Sequence, residues 1–185
     1  MGVLSQQFIL LGIGMELYQQ FARYHKWAYQ VLFKSLDQID EQDYFAERGL
    51  VFKSIHGTLN HLYFGDKIWF CRFADQAHQF QSVYDKSFDN YIDGKNMLLT
   101  QCDQWIAFVD QLNPASLPEF IETRHVNNRT RVTPYLATLH HVFNHATHHR
   151  GQLSAAVTQL NLPAPEMDLL YYLIEKSGQH PGKKG

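Results

Sequence analysis

Histidine is the residue type in this chain whose number and spacing suggest chemistry. Eleven histidines occur among 185 residues, and five of them fall between His140 and His149. In an α-helix, side chains four residues apart lie on one face with Cβ atoms about 5–6 Å apart, so two imidazoles at this spacing can bind one metal ion. The segment contains two such pairs, His141 with His145 and His145 with His149.

The apolar pattern of the surrounding helix favours the second pair. At about 100° per residue, His149 lies within the apolar stripe and His145 lies beside it. His141 and His148 are turned further round, and His140 points away. A buried imidazole needs polar partners, and a shared metal ion supplies one to both rings. The pattern therefore favours His145 and His149 as ligands, and the alternative is a coincidental or hydrogen-bonded core pair.

A third ligand has to come from another helix, and the second predicted helix offers His56 and His61. These two residues lie about 140° apart around the helix axis, so they cannot serve the same ion. His61 flanks the apolar stripe of its helix and is the better candidate. Three neutral imidazoles leave at least one coordination position open, as in catalytic zinc sites. An open position can hold water or an anionic oxygen or sulfur and lower the pKa of the bound group.

Four long segments with helical periodicity must position these histidines. They cover residues 15–36, 54–73, 87–112 and 133–160. Thr133 is the predicted N-cap of the last of these helices, with Pro134 at its first helical position. The apolar stripes are narrow and nearly heptad, which favours packing at shallow angles. The predicted fold is therefore all-α, a four-helix bundle whose core can hold a metal site.

The remaining segments are shorter. A β-hairpin is predicted over residues 119–132, with its turn at Asn127 and Asn128, just before the last long helix. A final helix is predicted over residues 166–176, ending at Gly178.

The predicted domain organisation is simple. An N-terminal extension covers residues 1–14, one bundle domain covers 15–176, and a flexible tail covers 177–185.

Composition excludes several classes of protein. The formal charge is −2 and the basic residues are scattered, which argues against a nucleic-acid-binding surface. The apolar segment of residues 3–14 is too short to span a membrane and lacks the basic start of a secretory signal. Cys71 and Cys102 are far apart, with neither metal-ligand nor redox spacing. We interpret them as inert thiols of a reduced, cytoplasmic protein.

Three segments carry a family resemblance. They are SIHGTLNHLYFGDKIW at residues 54–69, HVFNHATHHRGQL at 141–153 and PEMDLLYYL at 165–173. In this order and spacing they resemble the DinB/YfiT-like family of metalloenzymes, and the resemblance covers about residues 15–176. It implies a bundle with up-down-down-up topology and a divalent ion, usually zinc or nickel. The implied ligands are His61 from the N-H-L element, and His145 and His149 from the N-H-x-x-x-H-R-G-Q element.

The resemblance also implies a function. Relatives include metal-dependent thiol S-transferases and a thiol-dependent isomerase, so we expect a metal-dependent transferase or hydrolase acting on a small molecule, with a low-molecular-weight thiol as a further cofactor. Members often form homodimers, and we expect one here. The alternatives are a non-catalytic, stress-associated metal-binding bundle and a structural bundle that binds metal only adventitiously. No general acid or base stands out beside the histidines, so sequence does not separate the first two.

Three further residues are candidates for contacts around the ligands. Asp66 lies in the stripe of its helix and Arg150 borders the stripe of another, so a buried pair between them would hold the two ligand helices in register. Alternatively, Asp66 accepts the free N–H of a ligand imidazole. Gln152, one turn beyond the ligand pair, contacts either a bound molecule or a neighbouring helix.

Overall fold

The computed structural model describes residues 2–124 and 129–178, with side chains from residue 14 onward. This part of the chain is mostly helical, with one small antiparallel sheet of two strands. The helices are α1 (Gly2–Leu36), α2 (Glu41–Phe45), α3 (Ile55–Phe73), α4 (Tyr91–Gln111), α5 (Tyr135–Gln159) and α6 (Leu169–Ser177). The strands are β1 (Phe120–Arg124) and β2 (Thr130–Pro134), and Pro114–Ser116 forms a 3-10 turn.

The four long helices share one packing arrangement. Helix α1 contacts both α4 and α5, and α3 contacts the same two helices. Each of the four helices contributes fully buried apolar side chains to the interior, among them Leu32, Leu59, Leu98 and Leu153. Within the described residues, no helix is long and apolar enough to cross a membrane.

Side-chain caps set the starts of α3 and α4. The Ser54 hydroxyl accepts a hydrogen bond from the backbone N–H of Gly57, so α3 begins at Ile55, one residue after the predicted start. The Asn90 side chain accepts in the same way from Asp93, and α4 therefore begins at Tyr91 rather than at residue 87. At the other end of the chain, Gly178 takes the left-handed conformation that ends α6, as predicted.

The first helix is longer than predicted. Instead of starting at Met15, α1 runs without a break from Gly2 to Leu36. Glycines at positions 12 and 14 each lower helix propensity by about 1 kcal/mol relative to alanine. No proline interrupts the segment, so these glycines do not end the helix.

The prediction of Thr133 as an N-cap is wrong. Thr133 lies in β2, where it pairs with Ile121, and the N-cap of α5 is Pro134, which has no side-chain cap. The backbone N–H of Tyr135 donates instead to the carbonyl of Glu119 at 3.0 Å, so the hairpin leads directly into α5. The predicted hairpin is confirmed, whereas its turn at residues 127–128 and most of the predicted tail, residues 179–185, lie outside the described residues.

One buried amide attaches the loop between α3 and α4 to the helical core. The Oδ1 atom of Asn60 accepts from the backbone N–H groups of Ser87 at 2.7 Å and Phe88 at 3.3 Å. Its Nδ2 atom donates to the Phe88 carbonyl at 3.2 Å. Asn60 directly precedes His61, so the loop is attached beside a predicted metal ligand.

Replacing this amide should destabilise the protein. In Asn60→Ala, loop N–H groups lose their acceptor, and we expect the free energy of unfolding to fall by about 2–4 kcal/mol in urea titrations. Asn144→Ala is the matched control, because Asn144 also precedes a histidine but is exposed. It should change stability by less than about 0.5 kcal/mol. Equal effects of the two substitutions would contradict the anchoring role.

Candidate metal centre

Three histidine rings from two helices meet at one point. Helix α3 supplies His61, and α5 supplies His145 and His149, one helical turn apart. One side-chain nitrogen of each ring lies within 4.8 Å of one from each of the others. Nε2 of His61 lies 3.3 Å from Nε2 of His145. Two imidazole nitrogens that each lie about 2.0–2.1 Å from a tetrahedral zinc ion are about 3.3–3.4 Å apart, so this pair already has the required separation.

A hydrogen bond selects the tautomer of His149. Its Nδ1 atom lies 2.8 Å from Oε1 of Gln152. An amide oxygen only accepts, so Nδ1 of His149 carries the proton and Nε2 keeps a free lone pair. The Nε2 group of Gln152 donates in turn to Nε2 of His148 at 3.2 Å. Gln152 thus holds one ring of the group in the form that a metal ion needs.

Burial keeps the three rings neutral. It lowers the pKa of His61 from 6.5 to about 4, with a further contribution from nearby His149 and a weaker opposing one from the backbone of Val83. Burial, together with neighbouring histidines, lowers the pKa of His145 to about 3. Burial also lowers the pKa of His149, and the hydrogen bond that His149 donates to Gln152 opposes this effect. At neutral pH all three imidazoles therefore offer lone pairs rather than charges.

Apolar groups enclose the rings. Phe52 stacks on His61 with ring centroids 3.7 Å apart and also packs edge-on against His149 at 5.7 Å. Phe52 can approach because position 57 is glycine, where a Cβ atom would lie 2.0 Å from the Phe52 carbonyl oxygen. Gly65 has a similar role opposite His145, since a Cβ atom there would lie 3.1 Å from the imidazole Cε1.

A small pocket adjoins the group on the His61 side. Its volume is about 160 Å³, and its lining includes His61, Phe52 and Gly57. Val51 and Tyr84 form part of its rim and expose most of their surface to solvent. The pocket can therefore accept a small, partly apolar group close to the histidines.

The other histidines considered above are not members of the group, although the rings of His141 and His148 adjoin those of His145 and His149. His140, His141 and His148 are exposed on α5. His56 is buried, but it bonds the Tyr44 hydroxyl at 3.1 Å on a different face of α3. The structure thus brings together the same three residues that spacing and resemblance selected.

Asp66 and Arg150 do not pair directly, and a third residue lies between them. Nε2 of His25, in α1, lies 3.0 Å from Oδ2 of Asp66, and Nδ1 of His25 lies 3.0 Å from an Arg150 guanidinium nitrogen. The Asp66 carboxylate also accepts from the Tyr29 hydroxyl at 3.2 Å. Sequence reasoning did not identify His25. Its spacing of four residues from both Phe21 and Tyr29 places it on the buried side of α1, and this signal could have found it.

The fold and this group define a class, that of mostly helical proteins with a three-histidine group able to hold a metal ion. The family model for the DinB family matches residues 13–180, nearly the whole chain, and the chain belongs to that family. It is similar to Protein DinB of Bacillus subtilis (strain 168), with 25% identity over 157 residues, which cover 82% of this chain and 90% of that protein.

The lowered pKa values predict how acid affects the metal-free protein. The unfolded chain protonates these imidazoles near pH 6.5, whereas the folded chain protonates His61 only near pH 4 and His145 near pH 3. The unfolded state therefore binds more protons in this interval, and the free energy of unfolding should fall as the pH drops from about 6.5 towards 4.

Urea titrations at several pH values check this expectation with the His145→Leu variant as the comparison. This variant lacks one depressed group, so its stability should fall less steeply between pH 6.5 and 5 than that of the parent. Identical slopes would show that His145 does not titrate abnormally in the folded protein.

Proposed function

We propose that this protein binds one divalent transition-metal ion through His61, His145 and His149 and is a metal-dependent enzyme of the thiol S-transferase or hydrolase type. The observation that carries the proposal is the geometry of the three neutral rings, with Nε2 of His61 and His145 only 3.3 Å apart. Two facing imidazole nitrogens share at most one proton in their neutral forms, and an ion between them satisfies both lone pairs.

The donor set supports zinc or nickel as the metal. Imidazole nitrogen suits both ions, whereas magnesium and calcium prefer oxygen ligands. Three protein ligands leave at least one coordination position for a further group. An ion bound here would supply a Lewis acid that lowers the pKa of a coordinated low-molecular-weight thiol or water.

The surrounding residues fit the needs of such a site. Gln152 holds the proton of His149 on Nδ1, which keeps Nε2 available. Phe52 covers two of the rings and excludes water from one side of them. The pocket beside His61 would take part of a small substrate. These features together support a site that binds and orients a small molecule.

The proposal also includes the helix topology, the oligomeric state and the cellular location. We infer a four-helix bundle with up-down-down-up topology, supported by the contacts of α1 and α3 with both α4 and α5. A homodimer and a reducing, cytoplasmic location are inferred from the family resemblance and from the two buried free thiols, Cys71 and Cys102.

A non-catalytic, stress-associated metal-binding protein is the second candidate. It is favoured by the absence, within the described residues, of any carboxylate that hydrogen-bonds the three rings. A thiol transferase or hydrolase that needs a general base would have to obtain it from another group. The two candidates differ in whether the ion accepts an external ligand.

The first experiment measures metal content by plasma mass spectrometry on untagged protein. We expect about one zinc or nickel ion per chain, lost in the double variant His145→Ala/His149→Ala because two of three ligands are removed. The control is His140→Ala on the same helix, which should keep the ion because His140 is exposed and its ring packs against Phe21 rather than against the group. A folded parent that contains no metal and gains none from added zinc or nickel would refute the proposal.

The second experiment separates an enzyme from a simple metal carrier. Cobalt-loaded protein is titrated with a low-molecular-weight thiol such as 2-mercaptoethanol, and with its S-methyl derivative as the control. Coordination by the thiol should produce a new near-ultraviolet absorption band, because an open position is available to sulfur. No spectral change with the thiol would indicate a closed site and favour the non-catalytic candidate.

A further inference from the structure

A buried polar bridge lies behind the three histidines and connects three helices. Its members are His25 from α1, Asp66 from α3 and Arg150 from α5, with exposed fractions of 0%, 2% and 1%. The order of contacts is Asp66 to His25 to Arg150, each at 3.0 Å. We propose that His25 is a positioning residue for the metal centre and sets the approach of the two ligand helices. This inference rests on the proposed metal-binding function.

The contacts define the protonation of His25. A guanidinium group only donates hydrogen bonds, so Nδ1 of His25 accepts from Arg150. Its Nε2 then carries the proton and donates to the Asp66 carboxylate. The imidazole is neutral and connects a buried anion to a buried cation, with both ring nitrogens in use.

Both ends of the bridge lie next to the histidine group along the sequence. Asp66 follows Gly65, whose Cα faces the ring of His145. Arg150 follows His149 on α5. A shift of α5 relative to α3 that lengthened the 3.3 Å distance between the His61 and His145 nitrogens would also strain the bridge. His25 thus constrains the separation on which metal binding depends.

Loss of the bridge should cost considerable folding free energy. A buried charge without a partner is strongly destabilising, whereas a complete polar network in the interior is rigid. Further contacts extend this network, in which Nε of Arg150 remains buried without a hydrogen-bond partner among the described residues. The Tyr29 hydroxyl donates to Asp66, Arg150 donates to the Thr147 hydroxyl at 3.0 Å, and its guanidinium lies 5.2 Å from the centre of the Tyr29 ring. Removing the central imidazole leaves Asp66 and Arg150 buried without their shared partner.

The same cluster is unsuited to a second metal ion. His25, Asp66 and Cys102 lie close enough together for one. However, both nitrogens of His25 already form hydrogen bonds, and the positive charge of Arg150 lies next to the ring. A cation there would be repelled by the guanidinium and would have to displace a hydrogen bond of the His25 ring. A positioning role fits these contacts, whereas a second binding site does not.

The test compares three variants of the full chain. His25→Leu removes the bridge, and His25→Gln keeps one donor and one acceptor on a side chain of similar reach. Leu98→Ala is the stability control, since Leu98 is fully buried on α4, which carries none of the three histidines. Cobalt affinity and the cobalt absorption spectrum are measured where all variants are folded. Histidine-ring nitrogen NMR of the metal-free proteins gives a readout that needs no metal.

We expect His25→Leu to weaken cobalt binding at least about tenfold, the loss typical when the support of a ligand is removed. It should also alter the cobalt spectrum and move the ring resonances of His61 and His145. His25→Gln should restore most of the affinity. Leu98→Ala should lower the melting temperature and leave affinity, spectrum and resonances near those of the parent.

Two results would overturn the proposal. One is a His25→Leu protein that is less stable but retains the affinity, spectrum and ring resonances of the parent, which would make the bridge purely structural. The other is an equal loss of affinity in Leu98→Ala. If the parent binds no cobalt, zinc or nickel, the metal-binding function itself fails. The ring resonances of metal-free His25→Leu then still decide whether His25 positions the histidine group.

Discussion

The close approach of α3 to α5 is the constraint on which the rest of this structure depends. Two imidazole nitrogens on different helices can come within 3.3 Å only where neither backbone nor side chains keep the helices apart. Gly65 provides that space opposite His145, and Gly57 provides it for Phe52, which covers the rings. The enclosure that follows lowers the pKa of each ring, so the helix contact and the chemistry of the group have one cause.

Several buried or partly buried polar side chains lie near the histidines, and most of them have hydrogen-bond partners within the chain. The amide of Asn60 pairs with loop backbone, and Gln152 pairs with His149. Asp66 and Arg150 share a neutral ring rather than a direct ion pair. The three-histidine group is the exception, because two of its nitrogens face each other. This group could hold a metal ion.

Local periodicity favoured His61, His145 and His149 among eleven histidines, because helical spacing decides which side chains share a buried face, and the structure brings these three rings together. The same reasoning failed where distant parts of the chain decide the outcome. Threonine is a residue type favoured at helix N-caps, yet pairing with Ile121 places Thr133 in a strand. The contacts of His25 could not be predicted from local sequence, because its partners Asp66 and Arg150 lie 41 and 125 residues away. Sequence patterns predicted the long helices and the hairpin but not α2 or the start of α1, and contacts between elements required the structure.

The junction between β2 and α5 has a consequence for the rotational phase of the ligand helix. Pro134 is both the last residue of the strand and the N-cap of the helix, and Tyr135 is tied to Glu119 across the hairpin. No spacer separates the sheet from the helix, so the strand register fixes the angle at which α5 begins. Insertion or deletion of a single residue at this junction would rotate the following helix by about 100° and turn both of its histidines away from His61. A hairpin that contributes none of the three histidines therefore determines where two of them face.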